Sequence, residues 1–219
     1  MTRADRAAAA EVLEQATGYA DVAAAIPADT SPVVRALVLA GLACFADRGY
    51  VATTTRDVAT AAGLSPAGMY AHFASKAELL AAVVELSNRA VIDRLHERDA
   101  AGAPAGERLR TIVATLTTSL AVNHAAGRVA NYEYRHLPEH LRAPIDQHRI
   151  EIRDIVAGAI VAGVRQGDLR VDDPAAASRA ILSMCIDVCR WYGDDPDADV
   201  DALGAAYGAL ALDLCRATC

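Results

Sequence analysis

Residues Thr53 to Leu80 read TTTRDVATAAGLSPAGMYAHFASKAELL, and their punctuation sets out two short helices, a turn between them and the start of a third. Arg56 to Ala62 is alanine-rich, with Val58 and Ala59 as its apolar face and Thr55 before it as the N-cap. Gly63 supplies the left-handed residue that closes a helix, and Leu64 anchors the turn. Ser65 is the next N-cap, with Pro66 at the first helical position, where its missing N–H is harmless. Ala67 and Gly68 carry almost no side chain, so the backbone of this second helix can approach another surface closely. Ser75 caps a long helix running through Leu95 or beyond. Two short helices and a glycine are a weak signal. The tail Tyr70-x-His72-Phe73-x-x-Lys76 makes it specific.

With that tail, the stretch resembles the DNA-reading helix-turn-helix of the TetR family of bacterial regulators. The resemblance rests on Thr55, Ala59, Ala62-Gly63, Ser65, Gly68, Tyr70, His72-Phe73, Lys76 and Leu79-Leu80. It implies an all-α fold, in which an N-terminal three-helix DNA-binding domain precedes a helical ligand-binding and dimerisation domain. It further implies a transcriptional repressor that binds a pseudo-palindromic double-stranded operator as a homodimer and is released by a small-molecule effector. By the family's pattern Thr55, Tyr70, His72 and Lys76 hold phosphates, with Arg56 beside them, and Ser65, Pro66, Ala67 and Gly68 face base edges or the adjacent backbone. Met69 departs from the polar or β-branched residue often found there and reads as core.

Charge needs to be divided before it speaks to this expectation. The formal net charge is −7, which taken whole argues against a nucleic-acid partner. Residues 31–91 carry Arg35, Arg48, Arg56, Lys76 and Arg89 against Asp47, Asp57, Glu78 and Glu85, a balance of +1. Residues 92–219 hold 14 basic and 19 acidic side chains. The acidic excess therefore lies away from the reader. A nearly neutral reader gains from dimerisation, because two weak contacts add on one duplex.

The chain divides into an extension at 1–30, a DNA-binding domain at 31–91 with the helix-turn-helix at about 54–73, and an effector-binding and dimerisation domain at 92–219. The extension departs from the family's usual start. It is alanine-rich and acidic, and is either disordered or a short helix around Glu11 to Thr17. Ser31-Pro32 open the first DNA-domain helix, which Gly49 ends. Beyond the linker helix, helical patterns run over Glu107–Asn123, Gly127–His136, Pro144–Gly167, Pro174–Tyr192 and Val200–Arg216. The last two are expected to build the dimer interface, with Gly204 and Gly208 allowing close helix approach. Without a membrane-length apolar run or a signal peptide, and with five cysteines, the sequence points to a reducing cytosol and no membrane partner.

The C-terminal run Gly158, Gly163, Gly167-Asp168, Asp172-Asp173-Pro174 and Trp191-Tyr192 is more loosely similar to TetR-like effector domains, including some that sense acyl-coenzyme A esters. This makes Leu116, Leu120, Ile152, Val156, Met184, Val188 and Trp191 a candidate apolar pocket, with Asn123 and Asp187 as polar points. Arg149 and Arg153 are the expected exposed cations at its mouth, for an acyl-coenzyme A or other lipophilic metabolite. Asp187 interrupts an apolar run and needs a partner, an arginine or a ligand group.

Two other classes stay open on sequence alone. Cys185 with Cys189, and Cys215 with Cys219, each lie four apart on successive helices, so the four could form a thiolate metal or redox site, although their spacing is not that of a zinc ribbon and small apolar packing explains them as well. An all-helical enzyme with dispersed catalytic residues is the other. Nothing points toward it: there is no phosphate loop, serine elbow or His-Glu-x-x-His, and no cofactor is implied. His136 and His140 flank Pro138 and read as surface turn residues, and His124 as a satisfied polar residue at a helix end.

Overall fold

The computed structural model describes residues 18–99, 102–194 and 198–216, and its regular structure there is helical throughout. The helices are α1 (Ala20–Ala25), α2 (Pro32–Ala52), α3 (Thr55–Ala61), α4 (Pro66–Tyr70), α5 (Lys76–Glu97), α6 (Ala105–Val122), α7 (His124–Arg128), α8 (Glu139–Gln166), α9 (Pro174–Trp191) and α10 (Val200–Leu214). A π-helical turn, Val129–Glu133, and a 3-10 turn, Tyr134–His136, follow α7. The helix expected near Glu11 to Thr17 lies outside the described residues.

The chain forms two compact units. The first holds residues up to Ala90 together with Ala125–Asp146, and the second holds Val91–His124 and Gln147 onward. The sequence places all of 92–219 in one domain, whereas the segment 125–146 returns to the first unit. Its Ala126, Val129, Ala130, Leu137 and Ile145 are buried in the same core as Leu37, Leu42 and Phe45 of α2. The extension joins this core too. Tyr19, Val22, Ala23 and Ile26 are buried in it, Arg35 donates to the Ala23 carbonyl at 3.0 Å, and the Ala126 N–H donates to the Gly18 carbonyl at 3.1 Å.

Most element ends follow from their residues. Ser31 accepts from the Val34 N–H at 3.3 Å, with Pro32 at the first position of α2. Gly49, at φ 75°, breaks the regular course of that helix before its last residues. Two ends differ from expectation. The cap of α3 is Thr54, one residue before Thr55, because Asp57 completes a reciprocal box with Thr54. Helix α8 begins at Glu139, so Pro144 lies inside it, where the expected start had been. A proline there removes one backbone bond. The burial of Ile145 in the core and the Arg142 bond to the Leu137 carbonyl, at 2.7 Å, hold this turn in place.

In the second unit α10 lies along α6. Gly204 and Gly208 serve this packing inside the protomer, which corrects their assignment to a dimer interface: a Cβ at Gly204 would meet Thr118 Cγ2 at 2.5 Å, and one at Gly208 the Arg110 carbonyl oxygen at 2.7 Å. The glycines let the two backbones approach. Apolar side chains of α10 that stay exposed are Leu210 and Leu214, at 54% and 40%. Gly208→Ala is therefore expected to destabilise the protein by about 1–3 kcal/mol through overpacking against backbone. Gly158→Ala is the control, because a Cβ there meets nothing within 4 Å, and it should be neutral or stabilising by up to ~1 kcal/mol. Urea denaturation of both variants checks this, and equal stabilities would contradict the packing.

Candidate nucleic-acid interface

Helices α3 and α4 are seven and five residues long, too short to hold themselves in water. They are fixed by their caps and by the core. Gly63, at φ 69°, takes the left-handed conformation, and the bonds Gly63 N–H to Thr60 (3.0 Å) and Leu64 N–H to Ala59 (2.7 Å) close α3. Ser65 then caps α4 by accepting from the Gly68 N–H at 3.2 Å. Val58, Ala59 and Met69 are fully buried, so Met69 is core, as its apolar character implied. The Asp57 carboxylate is held below the usual range by hydrogen bonds from the Thr54 hydroxyl and backbone N–H, with Arg48 a smaller influence at 3.6 Å.

The turn and α4 leave a small-featured outer face. Ser65, Pro66 and Ala67 are exposed, as are Tyr70, at 52%, His72 and, on α3, Arg56. Thr55 is half-buried, and its hydroxyl lies 3.3 Å from that of Tyr70, so these two sit together across the helix pair. Gly68 is informative in a different way. The nearest atoms to a Cβ built on it are Leu64 Cβ at 3.5 Å, Ser65 Oγ at 3.6 Å and Leu64 Cδ2 at 3.9 Å, ordinary contacts, so packing within the chain does not require glycine there.

Lys76 behaves differently from its neighbours. Its ammonium donates to the carbonyls of Tyr50 and Thr53, both at 2.7 Å, and lies 4.2 Å from the centre of the Tyr50 ring. Partial burial lowers its pKa from the ordinary lysine value. Two of its three N–H groups are thus engaged within the protein. The carbonyls concerned lie at the end of α2, whose C-cap is Thr53. Thr53 is buried as well, its hydroxyl 2.8 Å from the Gly49 carbonyl and 3.0 Å from that of Cys44. Sequence reasoning overlooked Tyr50, Thr53 and Thr54. The signal available was the run of three threonines two residues after the Gly49-Tyr50 pair.

With this helix pair, its caps and its exposed face in view, comparison with known proteins becomes decisive. Residues 37–83 match the family model "Bacterial regulatory proteins, tetR family", and residues 102–215 match "Tetracyclin repressor-like, C-terminal domain". The chain belongs to the TetR family. It is 29% identical over 171 residues to the HTH-type transcriptional repressor KstR2 of Rhodococcus jostii, covering 77% of this chain and 84% of that one. A solved TetR-family regulator from Rhodococcus RHA1 superposes with a TM-score of 0.82 at 33% identity, covering 87% of this chain and all of the other. The fold is also that of AibR, solved with isovaleryl coenzyme A and operator DNA, at a TM-score of 0.75, 22% identity and coverage of 82% and 98%. The relatives named are transcriptional regulators, and the TetR-family chain described here is all-α with a helix-turn-helix near its start.

In the second unit of this TetR-family protein the candidate effector residues fall partly together. Leu116, Leu120 and Val156 are buried in one core, with Ile152 and Met184 packed against it. Val188 is also buried and Trp191 half-buried. Asn123 is buried with its amide donating to the Ser119 carbonyl at 2.9 Å. Asp187 is not buried: its side chain is 45% exposed and takes a bidentate bond from Arg190, at 2.7 and 3.0 Å. The arginine, one of its two expected partners, is the one it has. Arg153 is exposed but ion-paired with Asp154 at 2.8 Å, and Arg149 is half-buried where exposure was expected. Sequence reasoning overlooked Ser119 Oγ and His148 Nδ1, buried atoms without a hydrogen-bond partner among the described residues.

The cysteine alternative meets a physical obstacle. Cys185 and Cys189 are fully buried, Cys215 likewise, and burial pushes the Cys185 thiol up to about 11. A redox or metal-binding cysteine acts as thiolate, and Cys185 stays protonated at neutral pH. Cys219 lies outside the described residues. His136 also departs from a surface role, because it stacks on Tyr50 with ring centres 5.4 Å apart.

Lys76→Met keeps the stem and removes the donors. Bonds from a charged group to otherwise unpaired carbonyls support an expected loss of about 2–4 kcal/mol in urea denaturation. A lysine that only met phosphate would be a surface residue, whose substitution shifts stability by no more than ~0.5 kcal/mol.

Proposed function

We propose that this protein is a repressor that binds a pseudo-palindromic operator as a homodimer and leaves it when an acyl-coenzyme A or similar lipophilic metabolite binds residues within 92–219. Double-stranded DNA is read by α4 and its flanks. Ser65, Pro66, Ala67 and Gly68 face base edges or the adjoining backbone, while Thr55, Arg56, Tyr70 and His72 contact phosphates, with the remaining N–H of Lys76. The observation that carries this reading is the exposed, small-featured α4 whose Gly68 has room for a side chain within its own fold. Close backbone docking in a major groove supplies the missing reason for glycine. Dimerisation is supported by the exposed Leu210 and Leu214 of α10.

Selection of duplexes from a random-sequence pool tests the reading directly. The expected product is an inverted repeat with half-sites roughly one helical turn, about 34–36 Å, apart. An enzyme or scaffold would enrich nothing. Gly68→Ala should leave stability unchanged or raise it slightly, since alanine is the better helix residue, while weakening binding to the selected duplex at least tenfold. Undiminished affinity in Gly68→Ala would remove the basis for docking α4 against DNA.

The effector is supported by two lines of observation. AibR was solved with isovaleryl coenzyme A, and the fatty acid regulator FadR of Bacillus subtilis, which shares the fold at a TM-score of 0.68, with stearoyl-CoA. In this chain Ser119 and His148 hold buried polar atoms without a hydrogen-bond partner among the described residues. Such atoms commonly meet a ligand or water. A ligand releases DNA only if it binds the released state better than the DNA-competent one. Acyl-coenzyme A esters of graded chain length should raise the melting temperature and lower affinity for the selected duplex in the same rank order. Esters that stabilise the protein yet leave DNA binding untouched would refute effector control, as would a series without any stabilising ester.

A further inference from the structure

The segment 129–136 touches the reader through a polar contact that neither the DNA-contact set nor the effector set includes. The π-helical turn ends on Glu133, whose side chain is 19% exposed. Its carboxylate accepts from the Tyr50 N–H at 3.2 Å, and its other oxygen lies 3.5 Å from where a Cβ of Gly49 would stand. That N–H belongs to the residue just past the break in α2, where the regular helical partner is lost. His136, one turn on, stacks on one side of the matter: its ring lies 5.4 Å from that of Tyr50 with an interplanar angle of 19°, and its Nε2 is 3.4 Å from Glu133. Lys76 meets the same tyrosine ring and its carbonyl. Tyr50 is therefore held through its N–H, its ring and its carbonyl at once. Four and five residues after Tyr50 come Thr54 and Thr55, the cap and first residue of α3.

We propose that Glu133 is a positioning residue for DNA reading. By taking the Tyr50 N–H it fixes the course of the chain after Gly49, and so the place from which α3 and α4 start. Glu133 touches no DNA in this account. Its segment is joined in sequence, at both ends, to chain of the second unit. π-helical turns are uncommon and concentrate at functional positions, which fits a turn that delivers this carboxylate. The proposal rests on the reading of the protein as a DNA-binding regulator.

Charge and positioning predict opposite signs, which makes the test sharp. Removing an anion from a DNA-binding unit tightens DNA binding if charge alone acts. Wild type, Glu133→Ala and Glu133→Gln are titrated with a duplex that the wild type selected from a random pool, across a range of salt and well below each melting temperature. Glu133→Ala is expected to bind five- to tenfold more weakly with an unchanged salt slope, since no phosphate contact is lost. Glu133→Gln, which keeps an oxygen acceptor, should stay within twofold of wild type. If Glu133→Ala does not fold, Glu133→Met, of the same length, replaces it with the same expectation. Equal or tighter binding by the alanine or methionine variant overturns the proposal, as does a glutamine variant as weak as they are. A wild type that selects no duplex defeats the regulator reading itself, a distinct result.

Discussion

The end of α2, from the break at Gly49 to the cap at Thr53, presents backbone groups that side chains from elsewhere in the unit pair, and the reader depends on that pairing. Cys44 and Gly49 carbonyls lie within reach of the buried Thr53 hydroxyl, Tyr50 and Thr53 carbonyls accept from Lys76, and the Tyr50 N–H finds Glu133. An unpaired buried backbone group costs about as much as a lost hydrogen bond, roughly 1–3 kcal/mol. The three side chains come from the turn itself, from α5 and from the turn after α7, so pairing the break ties three parts of the first unit together. Lysine suits its role here because one ammonium can meet two carbonyls while lying over a ring.

From that junction the two short helices inherit their position. Neither α3 nor α4 has the length to be helical alone. The Thr54–Asp57 box starts the first at the point Lys76 fixes, the Gly63 closure sets the angle into the second, and Met69 plugs the second into the core. The outer face then consists of small residues, of which Ser65 and Pro66 also start α4. The box has a pH sense. Its carboxylate pKa is lowered on folding, so folding favours the ionised form. That contribution is present above the unfolded carboxylate's pKa and fades as pH falls through the lowered folded value.

Much of this was legible because it is local. Ser31-Pro32, Gly63, Ser65-Pro66 and Ser75 act within a few residues of where they stand, and the structure uses each as a helix start or end. The family resemblance shares Gly63 and Ser65 with this set and adds the nearby Tyr70-x-His72-Phe73-x-x-Lys76, and the family models confirm it. The cap of α3 slipped by one because three threonines in a row offer three candidates, and only the reciprocal bond with Asp57 selects among them. What stayed hidden is long-range. Glu133 and Tyr50 are 83 residues apart, and no periodicity links them. Gly204 and Gly208 were readable as sites of close helix approach, but sequence could not say whether α6 or a second copy was the neighbour. Asp187 looked buried because its flanks are apolar, yet it lies toward the outside of α9 beside Arg190.

The central claim is that the reader is preformed by the first unit's own packing before DNA arrives. Native-state hydrogen exchange on the DNA-free wild type tests it most directly, at the amides of Val58, Ala62, Leu64 and Met69, all of which are hydrogen-bonded in the structure. The account predicts protection of these amides close to that of the buried stretch of α2, orders of magnitude slower than a free peptide. Exchange at near-peptide rates, with α2 still protected, would mean that α3 and α4 form only on DNA and would contradict it.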